Sequence, residues 1–380
     1  MEGVLSRRRD KTIAVVDVES GSAGVAILSL GQTGARVISH ARISSGNSSE
    51  AGMQTVALST ALRSAAKQAL EFAALAESRQ PIKEVYAVLH APLVHSGMAR
   101  ASRLFDNETR INDSFIGQVA KEAFASQSTI EPKHLLEAYA YQIELNGYET
   151  NRPDGKYAHQ IDVTAFFSDC DPELKNALRT EILTAFPASS IVWRSGMRAG
   201  LTVLQATSQE RRCVTVFVGS NDTYVTVNYG DHIVQCSVPE GSKTILTKIA
   251  SANTAEETRA FLRMIANDAC EGEKCTAVQK NLAVIEPELA RAFGESFGPL
   301  SLERRFPDKL VLVADADVST FLSQLFSRID FTQFTATTVP FSVHVISAVE
   351  LSPWLSMPEP MDTSLSIASA LVNIERSTEA

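Results

Sequence analysis

The sequence predicts an α/β protein made of two duplicated domains that flank a cleft, with a small α+β insert domain in the first. A strand, turn, strand, turn, strand pattern opens the chain at 12–43 and recurs at 213–238. The two copies start about 200 residues apart, which is too far for a solenoid repeat and suits two facing domains. Between 81 and 187 the pattern changes to strands around one helix. With 380 residues, the chain has room for two or three domains of about 150 residues each.

The first domain is predicted at 1–80 and is completed by residues 188–210. Two β-branched, apolar runs separated by small polar residues are typical of a hairpin, and the Ala and Leu spacing after the third run is helical. The strands are predicted at 12–18, 23–30 and 35–43, and the helix at 52–79. The stripe expected to be buried on this helix is Val56, Leu58, Leu62, Ala65, Ala69 and Phe72.

The insert domain is predicted at 81–187. Its helix at 113–126 begins after Asn112, a favourable N-cap residue, and two turn signals, Asn146-Gly147 and Pro153-Asp154-Gly155, separate its later strands. The strands are predicted at 85–89, 98–105, 135–145 and 159–167. A helix at 172–186 leads back to the first domain.

The second domain is predicted at 211–380, with a helical subdomain at about 241–305. Thr254 and Glu257 form the capping box of a helix within that subdomain. A very apolar strand at 309–314 precedes a helix at 318–328, and a core helix at 364–373 ends the domain.

Charge and hydropathy exclude several classes of partner. The formal net charge is −9, so the chain lacks the positive field that nucleic acid binding requires. No apolar stretch approaches the roughly 20 residues that cross a bilayer. Arg7, Arg8 and Arg9 form a basic cluster with no signal-peptide apolar segment behind it. We therefore predict a cytoplasmic protein.

The cysteines and histidines suggest no metal site. Five cysteines are an odd number, which argues against a disulfide framework. Cys270 and Cys275 lack the second ligand pair that zinc requires, so a polar loop is expected there. His90 and His95 have no carboxylate or cysteine partner nearby in the sequence, so we expect them to make local hydrogen bonds.

The order of these elements resembles the actin, sugar-kinase and heat-shock ATPase superfamily. Within it, the insert occupies the place of the extra domain found in FtsA, a cell-division protein, and in PilM, a type IV pilus assembly protein. The resemblance covers nearly the whole chain and implies ribonuclease H-like domains. The segments that carry it are Glu108–Asp113, Asn146–Tyr148, Pro153–Lys156, Val238–Gly241 and Leu365–Leu371.

The resemblance implies a nucleotide site between the two hairpin turns. In the superfamily, backbone N–H groups of Gly-rich turns hold the β- and γ-phosphates, and acidic residues hold Mg²⁺ through water. The positions that match this site here are Asp17, Ser20, Gly219, Thr223 and Gly241.

This sequence departs from the superfamily pattern in each nucleotide turn. Glu19 stands where a glycine is expected, and like charges about 4 Å apart cost on the order of 4 kcal/mol at an effective dielectric near 20. Phe217 replaces the aspartate of the second turn, and Asp315 with Asp317 replaces a Gly-Gly pair at the adenosine turn. The helix containing Arg259 resembles the one that touches the ribose, where the superfamily has lysine. We predict a degenerate site with no catalytic residue, metal or cofactor, the alternative being weak binding of ATP with Mg²⁺.

The predicted function is that of an FtsA-like scaffold of cell division, more likely a pseudo-ATPase than an enzyme. Its expected partners are proteins, either an FtsZ-like protein or a pilus inner-membrane protein, together with self-association. Membrane contact is expected only through a partner, because the tail at 375–380 is polar. The alternatives are a PilM-like component of type IV pilus assembly and a true ATP-binding member of the superfamily.

Overall fold

The computed structural model describes residues 11–31, 34–46, 51–76, 81–128, 130–207, 212–230, 232–250, 253–302 and 304–379. The strands are β1 (Lys11–Glu19), β2 (Ser22–Gly31), β3 (Gly34–Ser44), β4 (Glu84–Leu89), β5 (Val94–Arg110), β6 (Leu135–Leu145), β7 (Tyr148–Glu149), β8 (Tyr157–Cys170), β9 (Ser190–Ser195), β10 (Cys213–Val218), β11 (Thr223–Asn228), β12 (Ile233–Val238), β13 (Lys309–Val313), β14 (Ser342–Val345) and β15 (Leu355–Ser356). The helices are α1 (Ala51–Leu75), α2 (Asp113–Ser126), α3 (Pro172–Ala185), α4 (Gly196–Thr207), α5 (Ser242–Ala250), α6 (Ala255–Ala266), α7 (Glu273–Ser301), α8 (Ala316–Arg328), α9 (Ala348–Leu351) and α10 (Thr363–Glu379).

The first sheet has the strand order β15-β3-β2-β1-β4-β9. Its central strand β1 pairs antiparallel with β2 and parallel with β4, and both faces of β1 are buried. Helices α1 and α3 cover one face of the sheet, and α4 and α10 cover the other. The β-branched runs therefore form strands that are buried on both faces, as in parallel sheets covered by helices.

Helix α1 buries a face of small residues against this sheet. Leu58, Leu62, Ala65 and Ala69 are buried as predicted. The prediction was wrong for Val56, which is 67% exposed, because it lies two residues, or about 200° of helical rotation, from Leu58. It was also wrong for Phe72, which is 49% exposed near the end of the helix.

The second sheet repeats the opening arrangement of the first. Its order is β12-β11-β10-β13-β14, and β10 pairs antiparallel with β11 and parallel with β13. Helices α5, α7 and α8 pack on it over a core rich in phenylalanine. Phe297 lies at the centre of that core, with five other aromatic rings at centroid distances of 5.4–6.5 Å.

The insert is a four-stranded antiparallel sheet of order β5-β8-β6-β7 with α2 on one face. Asn112 caps α2 as predicted, because its side chain accepts a hydrogen bond from the backbone N–H of Phe115. Four ion-paired side chains join the insert to the first sheet: Glu137 of β6, Arg194 and Arg198 of β9 and α4, and Glu375 of α10. The position of the insert is thus tied to the terminal helix.

The connection between α6 and α7 differs from its sequence prediction. Cys270 and Cys275 form a disulfide in the connection between α6 and α7, where a plain polar loop was expected. The two sulfurs meet because a tight turn brings the cysteines together, which the odd count could not reveal. Among the described residues, no helix is both long enough and apolar enough to cross a membrane. The cluster Arg7–Arg9 lies outside the described residues.

Candidate nucleotide cleft

The cleft lies where the β1–β2 turn meets the β10–β11 turn. The turns touch directly: a Cβ on Gly21 would lie 2.6 Å from the side-chain nitrogen of Asn221. Ser20 of the first turn donates a hydrogen bond to Asp222 of the second, over 3.3 Å. Their contact comes from the duplicated sheet order, which directs both hairpins toward the same space.

Asp17 is fully buried at the end of β1 and has three side-chain partners. His90 Nε2 lies 2.6 Å from its Oδ1, Ser364 donates to Oδ2 over 2.7 Å, and Arg42 pairs with the same oxygen. Burial alone would raise the pKa of Asp17, but the charges of His90 and Arg42 and these hydrogen bonds hold it well below its ordinary value of 3.8. Asp17 is therefore an ionised member of an internal network.

His90 connects the two sheets. It directly follows β4, and its ring stacks on Phe217 of β10 with centroids 4.6 Å apart. Burial lowers the pKa of His90, but the charge and hydrogen bond of Asp17 outweigh this and raise it above 6.5. The expectation of local hydrogen bonding was wrong for His90, whose partners lie 73 and 274 residues away.

Arg42 of β3 is the cation at the centre of the network. It pairs with Asp17, with Asp362 over 2.9 Å and with Glu19 over 3.7 Å. Burial disfavours its charge, but these three carboxylates, Asp362 first, raise the pKa of Arg42 well above its ordinary value. Its Nη1 also donates to Ser22 over 2.7 Å. The guanidinium of Arg42 therefore pairs with two carboxylates of β1 and with one that directly precedes α10.

Glu19 bridges the two turns. Its Oε2 accepts hydrogen bonds from the backbone N–H and the hydroxyl of Ser220, both over 3.3 Å, and from Ser22 over 3.4 Å. A backbone N–H in this turn is the kind of donor that would hold a phosphate oxygen. The carboxylate of Glu19 therefore engages a donor that a nucleotide would need.

The other predicted site residues hold the second turn against α5. Thr223 donates to the carbonyl of Glu240 over 2.6 Å, and the N–H of Ser242 donates to the carbonyl of Gly219 over 2.9 Å. A Cβ on Gly241 would lie 2.4 Å from the carbonyl carbon of Asn221. The structure thus gathers Asp17, Ser20, Gly219, Thr223 and Gly241 around one cleft, and each has a packing or hydrogen-bonding role there.

Further ion pairs border the side of the cleft at the β13–α8 turn, where the resemblance implied an adenosine contact. Arg259, at the position that resembles the ribose contact, pairs with Asp317 over 3.4 Å, and Arg263 pairs with the same carboxylate over 3.2 Å. Burial, with repulsion from Asp362 and Glu19, raises the pKa of Asp315 to about 6. Arg259 is thus paired with a carboxylate in the first turn of α8.

Two cavities lie on either side of the contact between His90 and Phe217. The one at the turns has a volume of about 30 Å³ and is bordered by Glu19, Arg42 and Asp362. The other, of about 270 Å³, lies between α4, the β4–β5 connection and the sheet face of β10–β12. Its wall is mainly apolar, and Gly196 and Gly200 of α4 leave room for it. No motif in the sequence predicted this second cavity.

Arg42, His90, Asp362 and Ser364 are the residues of the network that sequence reasoning did not place at the cleft. The place of His90 beside Asp17 could have been predicted, because the carboxyl ends of adjacent parallel strands meet at one edge of a sheet. Asp17 and His90 both stand at such ends. No comparable local signal marks Arg42 or the start of α10. Among the described residues, no group of three metal-ligating side chains occurs.

The chain has a mixed α/β architecture with two sheets of like strand order, each with a hairpin turn at the cleft. No family model matches the sequence, and no curated protein matches it.

Three solved structures can be aligned with nearly the whole chain at low sequence identity. A PilM–PilN type IV pilus biogenesis complex is 14% identical, with a TM-score of 0.49 and coverage of 97% of this chain and 99% of that one. The ethanolamine utilization protein EutJ from Carboxydothermus hydrogenoformans is 11% identical, with a TM-score of 0.45 and coverage of 96% and 91%. A Bacteroides thetaiotaomicron protein of actin-like ATPase fold and unknown function is 8% identical, with a TM-score of 0.36 and coverage of 92% and 98%.

Proposed function

We propose that this protein is an actin-fold scaffold whose cleft is held closed by its own side chains and which acts by binding protein partners. The observation that carries the proposal is the position of Glu19, whose carboxylate joins the two turns by hydrogen bonds to Ser220. In this view Glu19 takes the structural role that a nucleotide phosphate has in related folds, so closure of the cleft needs no ATP.

Electrostatics and space both oppose a bound triphosphate. A phosphate about 4 Å from Glu19 would be repelled by on the order of 4 kcal/mol at an effective dielectric near 20. Arg42 offers little compensation because Asp17, Glu19 and Asp362 already surround it. The cavity of about 30 Å³ at the turns has room for only a few water molecules, since one water needs about 10–15 Å³ of such space.

The larger cavity supports a partner-binding role. It is open, its wall is mainly apolar, and no aspartate, glutamate, lysine or arginine lines it among the described residues. A neutral, apolar segment of a partner protein fits that wall, because a charged group would lose hydration there without a counter-charge. We propose that such a segment is the main contact through which the scaffold is recruited, and that recruitment brings it from the cytoplasm to the inner face of the membrane.

Two assemblies fit such a scaffold. The resemblance to FtsA suggests cell division with an FtsZ-like partner, and the resemblance to PilM suggests pilus assembly with an inner-membrane partner. Deleting the gene in its host separates them, because the first role predicts filamentous cells and the second predicts loss of surface pili. Complementation by Gly200→Leu tests the cavity, since a Cβ at Gly200 meets nothing within 4 Å and the side chain would fill the space. Gly117→Leu, on the open face of α2, is the matched control and should restore function.

Calorimetry with Mg-ATP tests the closed cleft directly. We expect no binding at concentrations that detect dissociation constants up to about 1 mM, which corresponds to about −4.1 kcal/mol. Glu19→Gly restores the small residue expected at that position, and any gain of ATP binding in this variant alone would support the role given to Glu19. Micromolar binding to the unaltered protein would show that the cleft opens readily and would overturn the proposal.

A further inference from the structure

The disulfide between Cys270 and Cys275 lies in the connection between α6 and α7. The Cα atoms are 5.8 Å apart, and the two cysteines are five residues apart in sequence. Asp268 and Gly272 have positive φ angles of 52° and 94°, so the backbone reverses tightly on both sides of Cys270. The connection therefore presents both sulfurs to each other at the edge of the helical subdomain.

The two sulfurs have different surroundings. Cys275 is buried, at 1% exposure, in the first turn of the 29-residue helix α7, whereas Cys270 is partly exposed in the preceding loop. The free N–H groups of a helix N-terminus stabilise a thiolate. Cys270 is thus the sulfur that a solvent-borne thiol can reach, and Cys275 is the better leaving group.

We propose that Cys270 and Cys275 form a redox-active pair that exchanges reversibly with a low-molecular-weight thiol of the glutathione type. A thiolate attacks Sγ of Cys270, the protein S–S bond breaks, and Cys275 leaves with the bonding electrons as a thiolate at the start of α7. A second thiolate then attacks the small-molecule sulfur of the mixed disulfide and releases the Cys270 thiolate. The protein gains two electrons, and two small thiols become one disulfide.

The exchange would control the order of the end of α6. In the reduced protein the connection keeps backbone bonds such as Ala269 N–H to the carbonyl of Met264, over 2.9 Å, but loses its covalent link to α7. Helix α6 also carries Arg259 and Arg263, which pair with Asp317 beside the cleft. Reduction therefore loosens an element that borders the candidate nucleotide cleft, whether or not that cleft binds ATP.

The first test measures the redox state of each cysteine in the full chain. The protein is equilibrated in buffers of increasing ratio of oxidised to reduced glutathione, trapped with a maleimide, and mapped by mass spectrometry. We expect Cys270 and Cys275 to lose reactivity together at one midpoint. Cys236 is the internal reference, because it carries a free thiol whose pKa burial raises to about 11. Labelling of Cys270 and Cys275 that stays unchanged across all ratios would overturn the proposal.

The second test examines the direction of exchange and its structural effect. With oxidised glutathione, Cys275→Ser should form the mixed disulfide at Cys270 at a rate about tenfold higher than Cys270→Ser forms it at Cys275. Amide hydrogen exchange at 267–272 should accelerate about tenfold when the unaltered protein is reduced. The control substitution Cys236→Ser keeps the disulfide and should leave exchange in the oxidised protein unchanged. The opposite order of reactivity, or unchanged exchange on reduction, would refute the assigned roles.

Discussion

Replacing Asp17 by alanine tests the claim that the first acidic residue of the cleft has a structural role. Asp17 is fully buried, and its oxygens accept hydrogen bonds from His90 over 2.6 Å and Ser364 over 2.7 Å while pairing with Arg42. Its loss removes the shared partner of His90, which is buried, and of Arg42, which is partly buried. Breaking a buried ion pair by removing one member costs about 3–5 kcal/mol, and we expect Asp17→Ala to lose stability in that range.

Urea unfolding monitored by the fluorescence of Trp193 measures this loss, because Trp193 lies in β9 of the same sheet. Asp17→Asn is the matched variant, since it keeps the shape and removes the charge. In both variants the pKa of His90 should fall. The carboxylate of Asp17, which raises this pKa, is removed, whereas the burial of His90, which lowers the pKa, is unchanged. A loss below about 1 kcal/mol, or an unchanged His90 titration by NMR, would refute the reasoning.

The same pair determines how stability depends on pH. The pKa of His90 is raised in the folded protein, so its contribution is complete below 6.5 and is lost as the pH rises through the folded value. The pKa of Asp17 is lowered, so its contribution is present above 3.8 and is lost as the pH falls below that value. Stability from this pair should therefore be greatest between 3.8 and 6.5, and Asp17→Ala should flatten the profile.

Four further substitutions, one of them a control, test other parts of the structure. Phe297→Ala should destabilise the second sheet by about 3–5 kcal/mol because it empties the centre of the ring cluster, whereas Leu302→Ala, at an exposed site, should have little effect on chemical denaturation. Glu137→Gln should cost about 1–3 kcal/mol and speed proteolysis of the insert, because a buried carboxylate loses its charge beside two arginines. Gly241→Ala should lower the melting temperature, since its Cβ would meet the backbone of Asn221 at 2.4 Å, and an unchanged value would contradict that packing.

The strands and turns of the two hairpins could be predicted from the sequence because their signals are local. β-branched runs bounded by small polar residues predicted β1, β2, β10 and β11 to within about two residues. The spacing between the two copies predicted the paired sheets and the cleft. The domain boundaries themselves stay predictions. Val56 shows the limit of this approach, because an apolar residue at the wrong helical angle faces solvent.

The sequence also indicated which turns meet at the cleft, but not which side chains bond to each other there. Asp17, Ser20, Gly219, Thr223 and Gly241 lie at one cleft as the resemblance implied, and whether they bind a nucleotide is left to the calorimetric test. Glu19 was expected to repel a triphosphate. Its bond to Ser220, 201 residues away, was not foreseen.

The sequence by itself determined which segments form strands, which turns lie at the cleft and which charges depart from a nucleotide-binding pattern, since these depend on neighbouring residues. Only the tertiary structure decided that Arg42, His90 and Ser364 surround Asp17 and that two cavities flank Phe217. The physical reason is that the partners of a buried charge are chosen by how sheets and helices pack. Contacts between residues 25 to 347 positions apart leave no local trace in the order of amino acids.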